Sequence, residues 1–152
     1  MYLREAKKCE LDSIYLMGFD AWSDGLSCEE YLNGCRNSEK YRCGIWYVLI
    51  MNDEVVSSLI VYSDQFGLEE SNYGIGSIAT DPSHRSKGYG SYLVSLVRDE
   101  LLNNQSGKAV YLHSDIGHGY YNKLGFRSVQ GTDCMCIARE QSSFDGSIPS
   151  YF

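Results

Sequence analysis

The sequence has no run of about 18 consecutive apolar residues, which excludes a membrane-spanning helix. It is also short of positive charge. Thirteen Lys and Arg stand against twenty Asp and Glu, a formal net charge of −7, and this disfavours sequence-wide binding to nucleic-acid backbones or anionic membranes. Prolines number only two, and there is neither an internal repeat nor a low-complexity block. The cysteines Cys9, Cys28, Cys35, Cys43, Cys134 and Cys136 form no CxxC pair and no Cys/His spacing suited to zinc, so no metal site is expected. The opening Met1-Tyr2-Leu3-Arg4-Glu5-Ala6-Lys7-Lys8 has no apolar signal core, so a cytoplasmic protein with reduced thiols is expected.

What is present suits one soluble α+β domain. At 152 residues and 43% hydrophobic composition, a chain can bury roughly 70% of its unfolded surface without disulfide or metal staples. An acidic chain of this kind holds an anionic ligand only through a local device.

Tyr2 to Glu5 reads as a short strand. Leu11, Ile14, Tyr15, Gly18 and Trp22 share one helical face, which predicts a helix over 11–22. Ser27-Cys28-Glu29-Glu30 has the spacing of a capping box, so a second helix is expected to start there. Ile45–Met51 is rich in β-formers and Asn52-Asp53 is hairpin-turn material, so Glu54–Tyr62 should return beside it. Tyr73–Thr80 reads as a third long strand in which Gly74 and Gly76 permit close approach of backbone or ligand. Ser91–Asn103 carries an apolar helical stripe of Leu93, Val94, Leu96, Val97 and Leu101. Ala109–His113 is a strand, Gly119–Leu124 a short helix, and Phe126–Val129 and Asp133–Ala138 are strands. Antiparallel pairs come early and a parallel crossover late, giving a mixed α+β sheet of seven strands and about four helices. The domain is expected over 1–139, with 140–152 a loose tail; Phe144, Tyr151 and Phe152 leave ordered docking as the alternative.

The most informative stretch is Ile78-Ala79-Thr80-Asp81-Pro82-Ser83-His84-Arg85-Ser86-Lys87-Gly88-Tyr89-Gly90-Ser91. A strand ends near Thr80, and a glycine-punctuated loop leads into a helix. The N–H groups at a helix start have no intrahelical partner, and the macrodipole is positive there. Glycines at 88 and 90 keep Cβ atoms out of a phosphate's way, and Arg85 and Lys87 add charge at the lip. A P-loop is excluded because Lys87 precedes Gly88, and a dinucleotide fingerprint because Leu93 stands where the third glycine belongs.

The pattern Pro82-x-x-Arg85-x-Lys87-Gly88-x-Gly90 resembles the acetyl-CoA loop of the GCN5-related N-acetyltransferases, the GNAT family. Tyr121-Asn122-Lys123-Leu124-Gly125-Phe126 is similar to a second signature of that family, at the family's spacing. The resemblance implies acetyl-CoA as co-substrate. Ile78, Ala79 and Thr80 would lie along its pantetheine arm, and Arg85, Ser86, Lys87, Gly88, Tyr89, Gly90 and Ser91 would cradle its pyrophosphate. Ser114 stands where the family often has an asparagine on the cofactor arm. Tyr121 would protonate the departing thiolate, which is sound chemistry for a phenol of pKa about 10 beside a thiol of about 8.5. As a plain structural residue, Tyr121 would instead wedge helix against sheet. Tyr120 beside it is expected in the core.

By the same resemblance, an amine attacks the thioester directly in a ternary complex. Backbone N–H groups near Ile78 to Thr80 are candidates for polarising the carbonyl. Glu69, Glu70, His113 and Asp115 are candidates for the base, with solvated loop charge the competing reading for the two glutamates. His84 and His118 are expected to be surface residues without a partner. Family acceptor pockets lie at the first helices and the loop before the cofactor strand, which here carry Phe19, Trp22, Asp24, Glu29, Glu30, Tyr31, Asp64, Glu69 and Glu70. Aromatic and acidic residues together suit a cationic small-molecule or peptide amine, and equally a helix stripe with a solvated face. The partners expected are that amine and, for a homodimer, a second copy through the C-terminal strands; neither nucleic acid nor membrane is expected. A non-catalytic acetyl-CoA-binding sensor is the alternative.

Overall fold

A computed structural model describes residues 1–140 and 148–152. Seven strands form one mixed sheet in the order β1-β2-β3-β4-β5-β7-β6. They are β1 (Tyr2–Glu5), β2 (Ile45–Met51), β3 (Glu54–Ser63), β4 (Asn72–Thr80), β5 (Ala109–His113), β6 (Arg127–Ser128) and β7 (Cys134–Ala138). The helices are α1 (Leu11–Leu16), α2 (Phe19–Trp22), α3 (Cys28–Arg36), α4 (Glu39–Cys43), α5 (Tyr89–Asp99) and α6 (His118–Asn122). The described residues thus hold six α-helices where about four were expected. The extra two have local causes: the first helix breaks at Met17-Gly18, and Ser38 caps the unforeseen α4 by accepting from the Tyr41 N–H. All six cysteines are free.

The chain packs as two compact units, residues 1–60 with 77–93 and residues 61–76 with 94–152. In the first, β1 pairs antiparallel with β2 from Tyr2↔Ile50 to Glu5↔Tyr47. Asn52 and Asp53 take φ of 51° and 63°, the left-handed pair that a two-residue hairpin with matching twist requires. Ser27 opens α3 with the expected capping box: its hydroxyl accepts from the Glu30 N–H at 3.2 Å, and the Glu30 carboxylate accepts from the Ser27 N–H at 3.3 Å. Such caps stabilise a helix by about 1 kcal/mol. Burial of Ile14, Val48, Leu49, Ile50, Val56, Leu59 and Ile60 supplies the core, each side chain contributing about 1.5–3 kcal/mol.

In the second unit β4 and β5 run parallel from Asn72↔Ala109 to Ile75↔Leu112. β7 pairs antiparallel with β5 and with β6. The predicted stripe packs Val94, Val97 and Leu101 fully out of solvent. A π-helical turn over Glu100–Asn104 ends α5, and the Gly107 N–H closes it onto the Leu101 carbonyl at 2.8 Å. Of the tail 140–152, Phe144 lies outside the described residues. The last residues bury Phe152, whose ring sits over Gly74 where any side chain would collide with it. Tyr62, Phe66 and Tyr151 complete this aromatic cluster. The space at Gly74, expected to admit backbone or ligand, is filled by the Phe152 side chain.

Candidate active site

The first unit carries the end of β4 and the start of α5. The β4–β5 ladder stops at Ile75↔Leu112, so Ser77 to Thr80 extend beyond it and are half-buried. Ser77 has φ of 47°, a local twist in the strand, and its hydroxyl lies 3.1 Å from that of Tyr41. The Ser57 hydroxyl donates to the Ala79 carbonyl at 2.7 Å and lies 3.1 Å from the Thr80 hydroxyl, fixing this half of the strand. The Asp81 N–H donates to the Val56 carbonyl at 2.9 Å. Asp81 then caps a single 3-10 turn, Pro82–His84, its carboxylate accepting from the Ser83 hydroxyl and from the Ser83 N–H, and these bonds hold it below the usual range.

Arg85 leaves that turn as a brace. Its guanidinium donates to the Thr80 carbonyl at 3.1 Å, to the Met17 carbonyl at 2.8 Å and, bidentate, to the Asp20 carboxylate. Its charge therefore has a counter-ion, and what it contributes at the lip is position. Ser86 and Gly88 both take left-handed φ, 64° and 82°, which swings the chain into α5. The Gly88 carbonyl accepts from the Tyr92 N–H at 3.0 Å, closing the first turn, while the N–H groups of Tyr89, Gly90 and Ser91 have no acceptor within the helix. A Cβ at Gly88 would meet nothing within 4 Å, so the entry to α5 is uncrowded at this residue. Lys87 is exposed and Tyr89 donates its hydroxyl to the Met51 sulfur at 3.1 Å. This mouth fits a phosphate group: unpaired amides, a positive dipole end, and room. His84, expected on the surface, is half-buried with Nε2 3.6 Å from the Glu54 carboxylate.

The second unit carries Tyr121. The helix α6 ends in a Schellman closure: the Gly125 N–H bonds the Asn122 carbonyl at 3.1 Å and the Phe126 N–H bonds the Tyr121 carbonyl at 3.2 Å. Gly125 supplies the required φ of 95°, and the Tyr121 and Phe126 rings meet edge-on at 6.3 Å. The Tyr-x-x-Leu-Gly-Phe pattern is thus a helix stop that fixes Tyr121. Arg98 adds a further tie by donating to the Leu124 carbonyl at 2.7 Å. Burial pushes the Tyr121 phenol up to about 12, with Tyr120 and Asp115 adding smaller pushes. Of the adjacent pair it is Tyr121 that is buried, at 7% exposure, while Tyr120 stands 37% exposed, which corrects its expected place in the core.

Ser114 is buried, donates its hydroxyl to the Ile116 carbonyl at 2.6 Å, and so shapes the turn after β5. The exposed His113 has Nδ1 3.3 Å from the Phe152 carbonyl and Nε2 3.6 Å from Asp115. His118, for which no partner was expected, has Asp133 at 3.0 Å. Glu69 and Glu70 are exposed in the turn before β4. The Trp22 ring covers Gly18, Tyr31 donates to the Tyr15 carbonyl at 3.1 Å, and Phe19 packs edge-on to Tyr31 at 5.3 Å. Sequence reasoning missed Asp20 and Tyr41, whose partners lie 65 and 36 residues away. Among the described residues, no three His, Cys, Asp or Glu side chains converge as a metal site, and no helix is long and apolar enough to cross a membrane.

The model of the acetyltransferase (GNAT) family matches residues 9–126. No curated protein matches the sequence at a significant level. Among solved structures, a GNAT-family acetyltransferase from Brucella melitensis in complex with acetyl-CoA is 18% identical, with TM-score 0.68 over 91% of this chain and 88% of its own. The ribosomal-protein-S18-alanine N-acetyltransferase from Escherichia coli is 16% identical, with TM-score 0.66 over 95% and 97%. A spermidine N-acetyltransferase chimera from Vibrio cholerae and hSSAT is 16% identical, with TM-score 0.64 over 91% and 96%. At these identities the likeness is one of fold.

Proposed function

The chain belongs to the acetyltransferase (GNAT) family, and from that premise we propose that it moves an acetyl group from acetyl-CoA to a primary amine of a small molecule or peptide. One observation carries the cofactor half of this reading: α5 is entered through Gly88-Tyr89-Gly90, with unpaired amides in its first turn and open space at Gly88. The neighbours named for acetyl-CoA, spermidine and a ribosomal-protein alanine support both co-substrate and acceptor class.

When bound, acetyl-CoA supplies a thioester carbonyl whose carbon–sulfur bond breaks as the amine's carbon–nitrogen bond forms. The amides of Tyr89, Gly90 and Ser91 hold the pyrophosphate, and Lys87 adds charge beside them. The backbone of Ile78, Ala79 and Thr80, beyond the end of the β4–β5 ladder, pairs with the pantetheine arm and polarises the carbonyl. Arg85 acts through the loop it braces, and Ser114 through the turn it shapes. Tyr121 gives its phenolic proton to the departing sulfur. Like any tyrosine it is protonated at neutral pH, and since burial, by holding it near 12, makes it a weaker acid, the transfer depends on its close positioning beside the sulfur. His113, with Glu69, Glu70 and Asp115, is the candidate acceptor for the amine's proton, and Trp22 a candidate acceptor-side wall. Six free cysteines and the absence of a spanning helix among the described residues are consistent with a cytoplasmic monomer or homodimer.

Two measurements test this. Acetyl-CoA should raise the melting temperature while ATP and NAD do not, and thiol release over an amine panel should reveal turnover. Equal stabilisation by all three ligands, or acetyl-CoA binding without thiol release on any amine, would defeat the reading.

A further inference from the structure

The first unit contains a cavity of about 600 Å³, within the range that takes small ligands. Its walls are aromatic. Tyr15 and Tyr41 stack at 5.7 Å with 12° between their planes, and Trp46 stands edge-on to both at 5.8 and 5.1 Å. The rim is basic, with Lys8, Arg36 and Arg42 lining it beside one acid, Asp12. Arg36 is already committed to Asp12, its Nη2 at 2.6 Å. Arg42 donates only to the Arg36 carbonyl, at 3.0 and 3.2 Å, and weakly to Asn37. Among the described residues, Lys8 and Arg42 have no acidic partner. Two uncompensated cations at one cavity are notable in a chain of net charge −7.

One wall residue of the cavity reaches the cofactor strand. The hydroxyl of Tyr41 meets that of Ser77 at 3.1 Å, and Ser77 immediately precedes Ile78. Trp46 is 8% exposed, and its indole N–H has no hydrogen-bond partner among the described residues. Tyr41 thus ties the aromatic wall of the cavity to the strand assigned above to the thioester arm.

We infer that this cavity takes the acceptor, and that the acceptor is an amine bearing a carboxylate, such as an amino acid or short acidic peptide, with its anionic end at Lys8 and Arg42. The inference rests on the acetyl-transfer reading and gives it a substrate class. It reverses the expectation of a cation-seeking pocket: the acidic residues of the first helices are solvated or, like Asp12 and Asp20, paired with arginines. Aromatic rings supply the apolar body of the site, and two point charges on flexible arms supply the sign.

The test uses the dipeptide Gly-Glu, its counterpart glycyl-glutamine amide, which has the amine and no carboxylate, and spermidine, each titrated calorimetrically without acetyl-CoA and then assayed as acceptor. Gly-Glu should bind at least about tenfold more tightly than the amide, a difference of about 1.4 kcal/mol. Lys8→Glu and Arg42→Glu should each abolish that preference, while Lys108→Glu, the same charge change elsewhere, should leave it intact. Lys8 is exposed and serves as the second variant should Arg42→Glu disturb α4. Preference for the amide or spermidine, no binding of any of the three, or an unchanged Gly-Glu affinity in both variants would overturn the inference. Titration of acetyl-CoA itself judges the underlying reading: failure there with Gly-Glu still bound defeats acetyl transfer, and the reverse result defeats only the acceptor class.

Discussion

The start of α5 and the end of α6 are both helix termini, and they treat their orphan backbone groups in opposite ways. At α5 the chain enters through Ser86 and Gly88 in left-handed conformation and leaves the amides of Tyr89, Gly90 and Ser91 without intrahelical acceptors, beside open space at Gly88. At α6 the corresponding carbonyls are consumed: Tyr121 and Asn122 accept from Phe126 and Gly125, and Arg98 takes Leu124. An open terminus recognises a ligand with backbone and tolerates changes in its side chains. A closed terminus has no backbone to offer and serves by presenting one fixed side chain, here Tyr121. Substitutions should therefore be felt in binding at the first and in turnover at the second.

The sharpest break in that comparison is Tyr121→Phe. It keeps the ring against Phe126 and removes only the proton donor, so kcat should fall by about a hundredfold while KM for acetyl-CoA stays within a factor of about two. The pH dependence follows from burial. Because the phenol is pushed up to about 12, it keeps its proton as pH rises through 10, where an ordinary tyrosine would lose it. The wild-type kcat profile should accordingly show no descending limb between pH 8 and 10. A limb there that disappears in Tyr121→Phe would mean that Tyr121 titrates normally; an unchanged kcat in the variant would show that it is only the helix-to-sheet wedge.

A smaller effect is expected from Arg85→Ala. Removing the guanidinium frees Thr80, Met17 and Asp20 together and loosens the loop that sets the α5 amides. KM for acetyl-CoA should rise about tenfold, close to 1.4 kcal/mol, with kcat nearly unchanged. Asp20→Ala separates a brace from a ligand contact. If Arg85 acts as a brace, the Asp20 variant weakens acetyl-CoA binding and the double variant is less than additive. If its charge acts directly on phosphate, freeing it from Asp20 strengthens binding.

These two termini were unequally legible in the sequence. Local rules carried most of the strands, the Ser27 capping box, the Asn52-Asp53 turn and the glycine-marked start of α5, because each depends on residues within a few positions. The signature ending Leu124-Gly125-Phe126 was legible only through its resemblance to the family's; its local meaning, a Schellman stop completed by Gly125 at φ 95°, came from the structure. What sequence could not supply were pairings made by tertiary packing. Nothing near residue 85 marks Asp20 as its counter-ion, and nothing near Gly74 marks Phe152 as its occupant. The break after α1 was equally hidden, since the face from Leu11 to Trp22 reads as continuous until the Trp22 ring lies over Gly18. Tyr120 and Tyr121 differ by one position on a one-turn helix, too short for periodicity to tell inward from outward.

The smallest effect sharpens the comparison from the other side. Lys87 is the lip cation without a carboxylate partner among the described residues, and it is exposed beside Gly88. A charge in that setting acts on an anion through solvent, so its contribution is modest and screened by salt. Lys87→Ala should raise KM for acetyl-CoA by about two- to threefold at 20 mM salt and leave it unchanged at 0.5 M, where the screening length is only about 4 Å. The α5 amides act at contact distance with little solvent between, so the affinity that remains at high salt belongs to them. A Lys87 effect that persisted at 0.5 M would mean the ammonium makes a direct, desolvated contact with phosphate. The open terminus would then depend on a side chain as the closed one does, and the contrast between the two would be one of degree.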